Sequence, residues 1–142
     1  MTHYRLSQVP AEIRFPYDPF AVVLGEGAVW VLTQSIHQRR ALLRIDPRTG
    51  SVSATRLPGA QPEQLGGGSI TQFAVGEGAA WVPEGNTLFR IDPATGRVTG
   101  KATLHGSAAA GDLTAVVTGD GAVWALALEP NRLCASIHGR YA

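Results

Sequence analysis

Short apolar runs separated by glycine-containing turns dominate the first half of this sequence. The first two runs flank a turn at 25–27, where glycine supplies the positive φ that a tight hairpin requires. The next two runs flank a turn at 46–50, in which proline presets φ and Asp46 can accept a backbone N–H two residues on. This pattern predicts four short antiparallel strands, A to D, at 20–24, 28–33, 41–45 and 51–57.

The same order of runs and turns returns twice. The second round predicts strands A to D at 70–75, 79–83, 87–91 and 98–104. The third round predicts strands A and B at 113–118 and 122–128, and a candidate strand C at 133–137. A loosely alternating segment at 3–9 predicts one further strand, which can serve as an outermost strand D.

An internal repeat therefore organises the chain. Gly-Glu-Gly-Ala-Val-Trp at 25–30 recurs as Gly-Glu-Gly-Ala-Ala-Trp at 76–81 and as Gly-Asp-Gly-Ala-Val-Trp at 119–124. Four short strands in each repeat of roughly 40 to 50 residues are typical of a β-propeller blade. We therefore predict an all-β fold, a single partial propeller of about three blades. Blade one spans 18–58, blade two spans 69–104, and an incomplete blade three spans 112–142.

The repeated aromatic and acidic residues have structural interpretations. Trp30, Trp81 and Trp124 recur on strand B, so we expect them to pack between blades. Asp46 and Asp92 recur with the prolines of their turns, so we expect them to stabilise those turns rather than to form a catalytic pair.

The repeat unit Val-Gly-x-Gly-Ala-Val-Trp, followed by Leu-x-Arg-Ile-Asp-Pro-x-Thr-Gly-x-Val, resembles the virginiamycin B lyase (streptogramin lyase) and YVTN-type family of bacterial β-propellers. The resemblance covers roughly residues 18–128. It implies the propeller fold, which hosts hydrolases, lyases, binding platforms and sensors. In members that are lyases, histidines on or just before strand A and a nearby glutamate work with magnesium. The segments 18–22, 70–74 and 113–116 contain no histidine, so no catalytic residue can be carried over.

Candidate functional residues lie in the connectors. In propellers of this strand order, the B-to-C and D-to-A connectors gather on one face. A histidine with a carboxylate can abstract a proton or hold a divalent metal, and arginine can bind an anion. The catalytic candidates are Glu84, His37 and His105; the ligand-binding candidates are Arg39, Arg40, Asn86 and Glu129; no metal-ligand set is predicted.

Each catalytic candidate also has a structural interpretation. Glu84 can be a turn carboxylate beside Gly85 and Asn86, since acidic side chains commonly hydrogen-bond in turns. His37 and His105 can be ordinary polar loop residues.

A binding or scaffolding module that uses loop surfaces is the function we expect. Two alternatives stay open: a magnesium-assisted lyase or hydrolase like virginiamycin B lyase, and a sensor or regulatory segment of a longer protein. No cofactor is predicted, and magnesium enters only under the lyase alternative.

Composition narrows the choice of partner. The formal net charge of +1, spread along 142 residues, indicates neither nucleic acid nor an anionic membrane as a partner. The single Cys134 cannot form an internal disulfide and is interpreted as a small buried hydrophobe. The first residues lack the apolar core of a signal peptide, which favours a cytoplasmic location.

Three blades fall short of the ~4 to 8 that propellers use. Two explanations stay open at this point: a homo-oligomer that completes the ring, or a piece of a longer propeller. On a completed ring, a small molecule or a protein is the expected partner of the loop face.

Overall fold

The computed structural model describes residues 18–34, 41–57, 72–103, 113–127 and 132–135. Within these ranges the chain forms three antiparallel sheets, and consecutive strands are hydrogen-bonded neighbours. The all-β prediction is confirmed. The strand predicted at 3–9 lies outside the described residues.

The sheets follow one another along the chain. Sheet 1 contains β1 (Asp18–Gly25), β2 (Ala28–Gln34), β3 (Ala41–Ile45) and β4 (Val52–Arg56). Sheet 2 contains β5 (Ala74–Gly76), β6 (Ala79–Glu84), β7 (Thr87–Ile91) and β8 (Val98–Thr103). Sheet 3 contains β9 (Leu113–Gly119), β10 (Ala122–Ala127) and β11 (Arg132–Ala135).

The predicted strands agree with these bounds, with small differences at the ends. β3 and β7 coincide with their predicted ranges, whereas β5 begins only at Ala74 because the residues at 72 and 73 lie outside the ladder. β11 begins one residue before its predicted start, and the predicted end at 137 lies outside the described residues.

The turns between the first two strands of each sheet have an unusual backbone. Glu26, Glu77 and Asp120 have φ of 51°, 52° and 52°, and each is followed by a glycine that also has positive φ. Two consecutive left-handed residues define the type I′ turn, whose twist suits a two-residue hairpin. A glutamate is a costly choice at the first position, because the left-handed conformation is unfavourable by ~1–2 kcal/mol for a residue with a Cβ.

The turns between the third and fourth strands are built around an aspartate. The Asp46 carboxylate accepts a hydrogen bond from the Arg48 backbone N–H at 2.8 Å, and the Asp92 carboxylate accepts one from the Ala94 N–H at 2.7 Å. Gly50 and Gly96 each donate a backbone N–H to the carbonyl of their aspartate at 2.8 Å. The prediction that these aspartates stabilise turns is confirmed.

The three sheets stack face to face. We call the face of each sheet that carries the tryptophan of its second strand the front face, and the opposite face the back face. The front face of sheet 1 packs on the back face of sheet 2, and the front face of sheet 2 packs on the back face of sheet 3. The first interface buries Ala28, Trp30, Leu32 and Leu42 against Phe73, Ala80, Val82 and Ile91; the second buries Ala79, Trp81 and Leu88 against Val116, Val123, Ala125 and Ala127.

Tryptophan is the largest residue in both interfaces. Trp30 and Trp81 are 1% and 5% exposed, and their ring N–H groups donate to the carbonyls of Gly25 and Gly76 at 2.9 and 3.0 Å. Trp124 is 37% exposed. The prediction that all three tryptophans pack between sheets is therefore confirmed for the first two and wrong for Trp124 within one chain, since no described sheet covers the front face of sheet 3.

The ends of the first strands come especially close to the next sheet. A Cβ on Gly25 would lie 3.0 Å from Val75 Cγ1, and a Cβ on Gly76 would collide with Thr118 Oγ1. Beside these contacts, a Glu26 carboxylate oxygen accepts a hydrogen bond from the Gly78 N–H at 3.2 Å. The Glu77 carboxylate accepts one from the Gly121 N–H at 3.0 Å. Glu26 and Glu77 are thus each bonded to the corresponding turn of the following sheet.

Replacing Gly76 by alanine tests this close approach. We expect Gly76→Ala to lower the free energy of unfolding by ~1–3 kcal/mol, because the added methyl group overpacks the interface against Thr118. Thr118→Ala in the same background removes the colliding hydroxyl, so the two changes together should cost less than the sum of the single changes. Urea denaturation of the four proteins measures the coupling, and strictly additive effects would contradict the contact.

Acid stability tests the aspartate turns. Backbone N–H groups, that of Thr95 first and that of Ala94 second, hold the pKa of Asp92 below its ordinary value; the Arg48 N–H does the same for Asp46. An aspartate whose pKa is lower in the folded than in the unfolded state stabilises the fold at pH values above its unfolded pKa of ~4. This stabilisation is lost as the pH falls through the folded pKa. Acidification from about pH 4 to pH 3 should therefore lower the Tm less in Asp92→Asn and in Asp46→Asn than in the wild-type protein. An unchanged pH profile in both variants would contradict this.

Candidate functional site

The turn between β6 and β7 meets the start of β9 at the end of the sheets opposite the acidic turns. The carbonyl of Gly85, in the turn between β6 and β7, accepts a hydrogen bond from the Leu113 N–H at 2.8 Å. That bond joins the B-to-C turn of sheet 2 to the start of sheet 3. We call the surface formed by residues 84–87 and 113–114 the loop end. The D-to-A connector at 104–112 lies outside the described residues, so the gathering of connectors at this end stays a prediction.

A two-residue turn forms the described centre of the loop end. Gly85 has φ of 58°, whereas Asn86 does not have positive φ. Glycine at the first position with an ordinary residue at the second is the pattern of a type II′ hairpin turn. The Asn86 side-chain oxygen accepts a hydrogen bond from the Thr87 hydroxyl at 3.3 Å, and that hydroxyl also lies 3.3 Å from the hydroxyl of Thr103.

Glu84 is placed by the strand before this turn. It is the last residue of β6, is half-buried, and lies opposite Thr87 across the ladder. The sequence placed Glu84 and Asn86 at the same turn, and the structure brings both to the loop end. The position of Glu84 beside Gly85 is compatible with a structural carboxylate of the turn and with a residue that contacts a ligand.

The other candidates lie outside the described residues. They are His37, Arg39, Arg40, His105 and Glu129. Whether they approach Glu84 and Asn86 stays a prediction.

Repeated arginines are a feature that sequence reasoning missed. The Arg44 guanidinium lies 6.0 Å from the centroid of the Trp30 ring, and the Arg90 guanidinium lies 5.7 Å from that of Trp81. These distances suit a cation–π interaction. Arg90 also donates to the Thr99 hydroxyl at 2.8 Å. The sequence signal for these contacts was the arginine in the repeated Leu-x-Arg-Ile-Asp-Pro motif. The strand register places this arginine directly opposite the tryptophan of the neighbouring strand.

Bonds from the acidic turns to the next sheet were also missed. A glutamate that recurs at a position favouring Asn, Asp or Gly was the available signal, because the unfavourable backbone conformation needs a compensating contact. Register within one hairpin cannot show this contact, since Glu26 and its partner Gly78 are 52 residues apart.

Metal-ligand geometry and membrane-spanning helices were sought in the described ranges. Those ranges contain no group of three or more His, Cys, Asp or Glu side chains placed to hold a metal ion. They also contain no helix with the length and apolar character needed to cross a membrane.

Comparison with known proteins gives no assignment: no protein-family model matches this sequence, and no curated protein matches it.

Turn geometry predicts different effects of two neighbouring substitutions. Gly85→Ala should lower the free energy of unfolding by ~1–2 kcal/mol, because alanine is strained at φ of 58°. Asn86→Ala should change it by less than ~1 kcal/mol, since its φ is ordinary and its bond to Thr87 is long and half-exposed. Thermal denaturation of the wild-type protein and of both variants compares the two losses of stability. Equal losses would contradict the turn assignment.

Proposed function

We propose that this chain is a β-propeller-type repeat module that binds or scaffolds a partner through its loop end. The observation that carries the proposal is the division of the repeat between two kinds of residue. Side chains that recur in register make contacts that hold the sheets together. The B-to-C connector sequences, at 34–40, 84–86 and 129–131, differ in length and share only a Glu-x-Asn pattern between the second and the third.

The recurring polar groups support this division. The Glu26 and Glu77 carboxylates bond to backbone N–H groups of the following sheet, and those of Asp46 and Asp92 bond within their own turns. A carboxylate held by backbone donors in this way is suited to stabilising structure rather than to exchanging protons with a substrate. The repeated residues therefore form a structural framework. In this proposal, the non-repeated side chains determine which partner is bound.

Propeller-like stacking is the second line of support. Successive four-stranded antiparallel sheets packed face to face, with the first strands close together, are how propeller blades are arranged. On that arrangement, connectors at one end surround a common channel, and concave sites between repeats are usual places for small ligands.

The magnesium-assisted lyase or hydrolase is kept as an alternative prediction. Of its proposed residues, Glu84 lies at the described loop end, and His37 and His105 lie outside the described residues. Glu84→Gln keeps the size of the side chain and removes its charge, so it separates the two functions. A thermal shift on adding Mg²⁺ that is lost in Glu84→Gln would favour the lyase.

A ligand screen tests the binding proposal. Thermal shift is measured with a set of small anions, sugars and short peptides on the wild-type protein, on Asn86→Ala and on Arg97→Ala. Arg97 lies in the turn between β7 and β8, away from the loop end, and serves as the control. A ligand present at about 100 times its Kd should stabilise the fold by ~2.7 kcal/mol.

The proposal expects at least one ligand whose stabilisation is reduced in Asn86→Ala and kept in Arg97→Ala. A stabilisation lost only in Arg97→Ala would place binding at the wrong end of the sheets. A screen without any stabilising ligand would contradict small-molecule binding.

A further inference from the structure

The outer strands of sheets 1 and 2 differ in how their edges are built. β4 and β8 are each the last strand of their sheet, so in the described ranges each has one edge without a neighbouring strand. The pairing of β8 with β7 shifts register between Arg90 and Ile91, and β8 carries an exposed lysine, Lys101. Bulges and lysines keep a sheet edge from pairing with another chain. β8 is therefore a protected edge.

The β4 edge has neither protection. Its pairing with β3 continues along the whole strand without a register shift. The strand contains no lysine or proline, and its charged residue, Arg56, comes last. The side chains of Val52, Ser53, Ala54 and Arg56 are all exposed, on both faces of the sheet. β4 is thus a regular and open edge.

The hydrogen-bond ladder shows which backbone groups of β4 point outward. Asp46 donates its N–H to the Ser51 carbonyl at 2.9 Å, so these two residues form a hydrogen-bonded pair. Hydrogen-bonded and non-hydrogen-bonded pairs alternate along an antiparallel ladder. The odd-numbered residues of β4 therefore bond to β3, and the even-numbered residues direct their N–H and C=O groups away from the sheet. These outward residues are Val52, Ala54 and Arg56, and no described residue bonds to their outward groups.

We propose that the β4 edge binds an extended peptide of another protein, which adds a further antiparallel strand to sheet 1. Main-chain hydrogen bonds to the outward groups supply the affinity of such a contact, and alternate side chains supply its specificity.

The two faces of the edge determine the kind of peptide. On the front face, the Thr55 hydroxyl donates to the Gly96 carbonyl of sheet 2 at 2.6 Å, so the peptide needs small side chains beside this contact. On the back face, Val52 and Ala54 favour aliphatic side chains opposite them, and Arg56 favours an acidic one. β4 itself contains no acidic residue, so β4 of a second copy would place no carboxylate opposite Arg56.

The probe is a synthetic peptide with blocked ends, Thr-Glu-Ser-Val-Ser-Val-Thr. In antiparallel pairing its glutamate lies opposite Arg56, and its two valines lie opposite Ala54 and Val52. Nuclear magnetic resonance of the isotope-labelled protein measures hydrogen exchange with and without the peptide. The peptide should slow the exchange of the three outward N–H groups and leave that of Ser53 and Thr55 unchanged, because their N–H groups already bond to β3.

Backbone methylation of the peptide provides the matched comparison. Methyl groups on the nitrogens of the two valines remove N–H groups that face β4, whereas methyl groups on the two serines remove N–H groups that face away. The first peptide should bind about tenfold more weakly than the unmodified peptide, or weaker still, and the second should bind within about threefold of it.

Variants of the protein test the same contact. Ala54→Pro removes an outward N–H, and an edge strand accepts proline where the N–H faces solvent. It should raise the Kd by about tenfold, whereas Ala54→Thr keeps the N–H and should change the Kd by less than about threefold. Arg56→Glu should weaken binding by about two- to fivefold and favour a peptide with lysine in place of glutamate. If Ala54→Pro fails to fold, the two methylated peptides decide the question on the wild-type protein.

Three results would overturn the proposal. They are no binding of the unmodified peptide up to about 1 mM, equal binding of the two methylated peptides, and slowed exchange of the outward N–H groups without peptide as the protein concentration rises. The last result would identify a second copy as the occupant. Asn86→Ala should bind the peptide as the wild type does, because sheet 1 makes the contact. A negative result here therefore does not bear on binding at the loop end.

Discussion

Face-to-face packing of the sheets is the interaction on which this structure depends. A single four-stranded sheet leaves an apolar face in water, and an isolated sheet of this size needs a second layer to bury it. Trp30 and Trp81 are the largest residues of the two interfaces, and an arginine lies over each ring. Because the same positions build both interfaces, the stack has a direction, from front face to back face.

Close approach at the strand ends makes that packing specific. Gly25 and Gly76 let the next sheet come within contact distance of the backbone. A Cβ would make a tight contact with Val75 at the first position and would collide with Thr118 at the second. The neighbouring glutamates occupy a left-handed conformation that is costly for them, and their carboxylates bond to the following turn. A local cost is thus offset by a contact between sheets, which couples the geometry of each hairpin to the position of its neighbour.

The repeated turn contacts and the proposed binding residues lie at different ends of the sheets. The acidic hairpin turns and the aspartate turns repeat, whereas the described loop end carries Glu84 and Asn86 of sheet 2. This separation allows residues at the loop end to change without disturbing the interfaces. Because the repeated residues are those of the framework, the repeat itself informs the fold more than the activity.

The sequence by itself determined the strands and turns. Apolar runs bounded by glycine and proline identified the hairpins, because these depend on local backbone preferences and on period-2 burial. Asp46 and Asp92 were assigned to turns correctly, since an aspartate before proline bonds to a backbone group only two residues away. Glu84 and Asn86 were placed at one turn for the same reason.

Only the tertiary structure decided which repeated residues meet across sheets. Its equivalent position in the repeat made Trp124 look like Trp30 and Trp81, yet its exposure depends on whether another sheet covers it, which no local pattern encodes. The bonds from Glu26 to Gly78 and from Glu77 to Gly121 join residues 52 and 44 positions apart. Such contacts depend on how sheets stack. Hydrogen bonding and periodicity within a hairpin are local, whereas stacking is set by the shape of two whole faces.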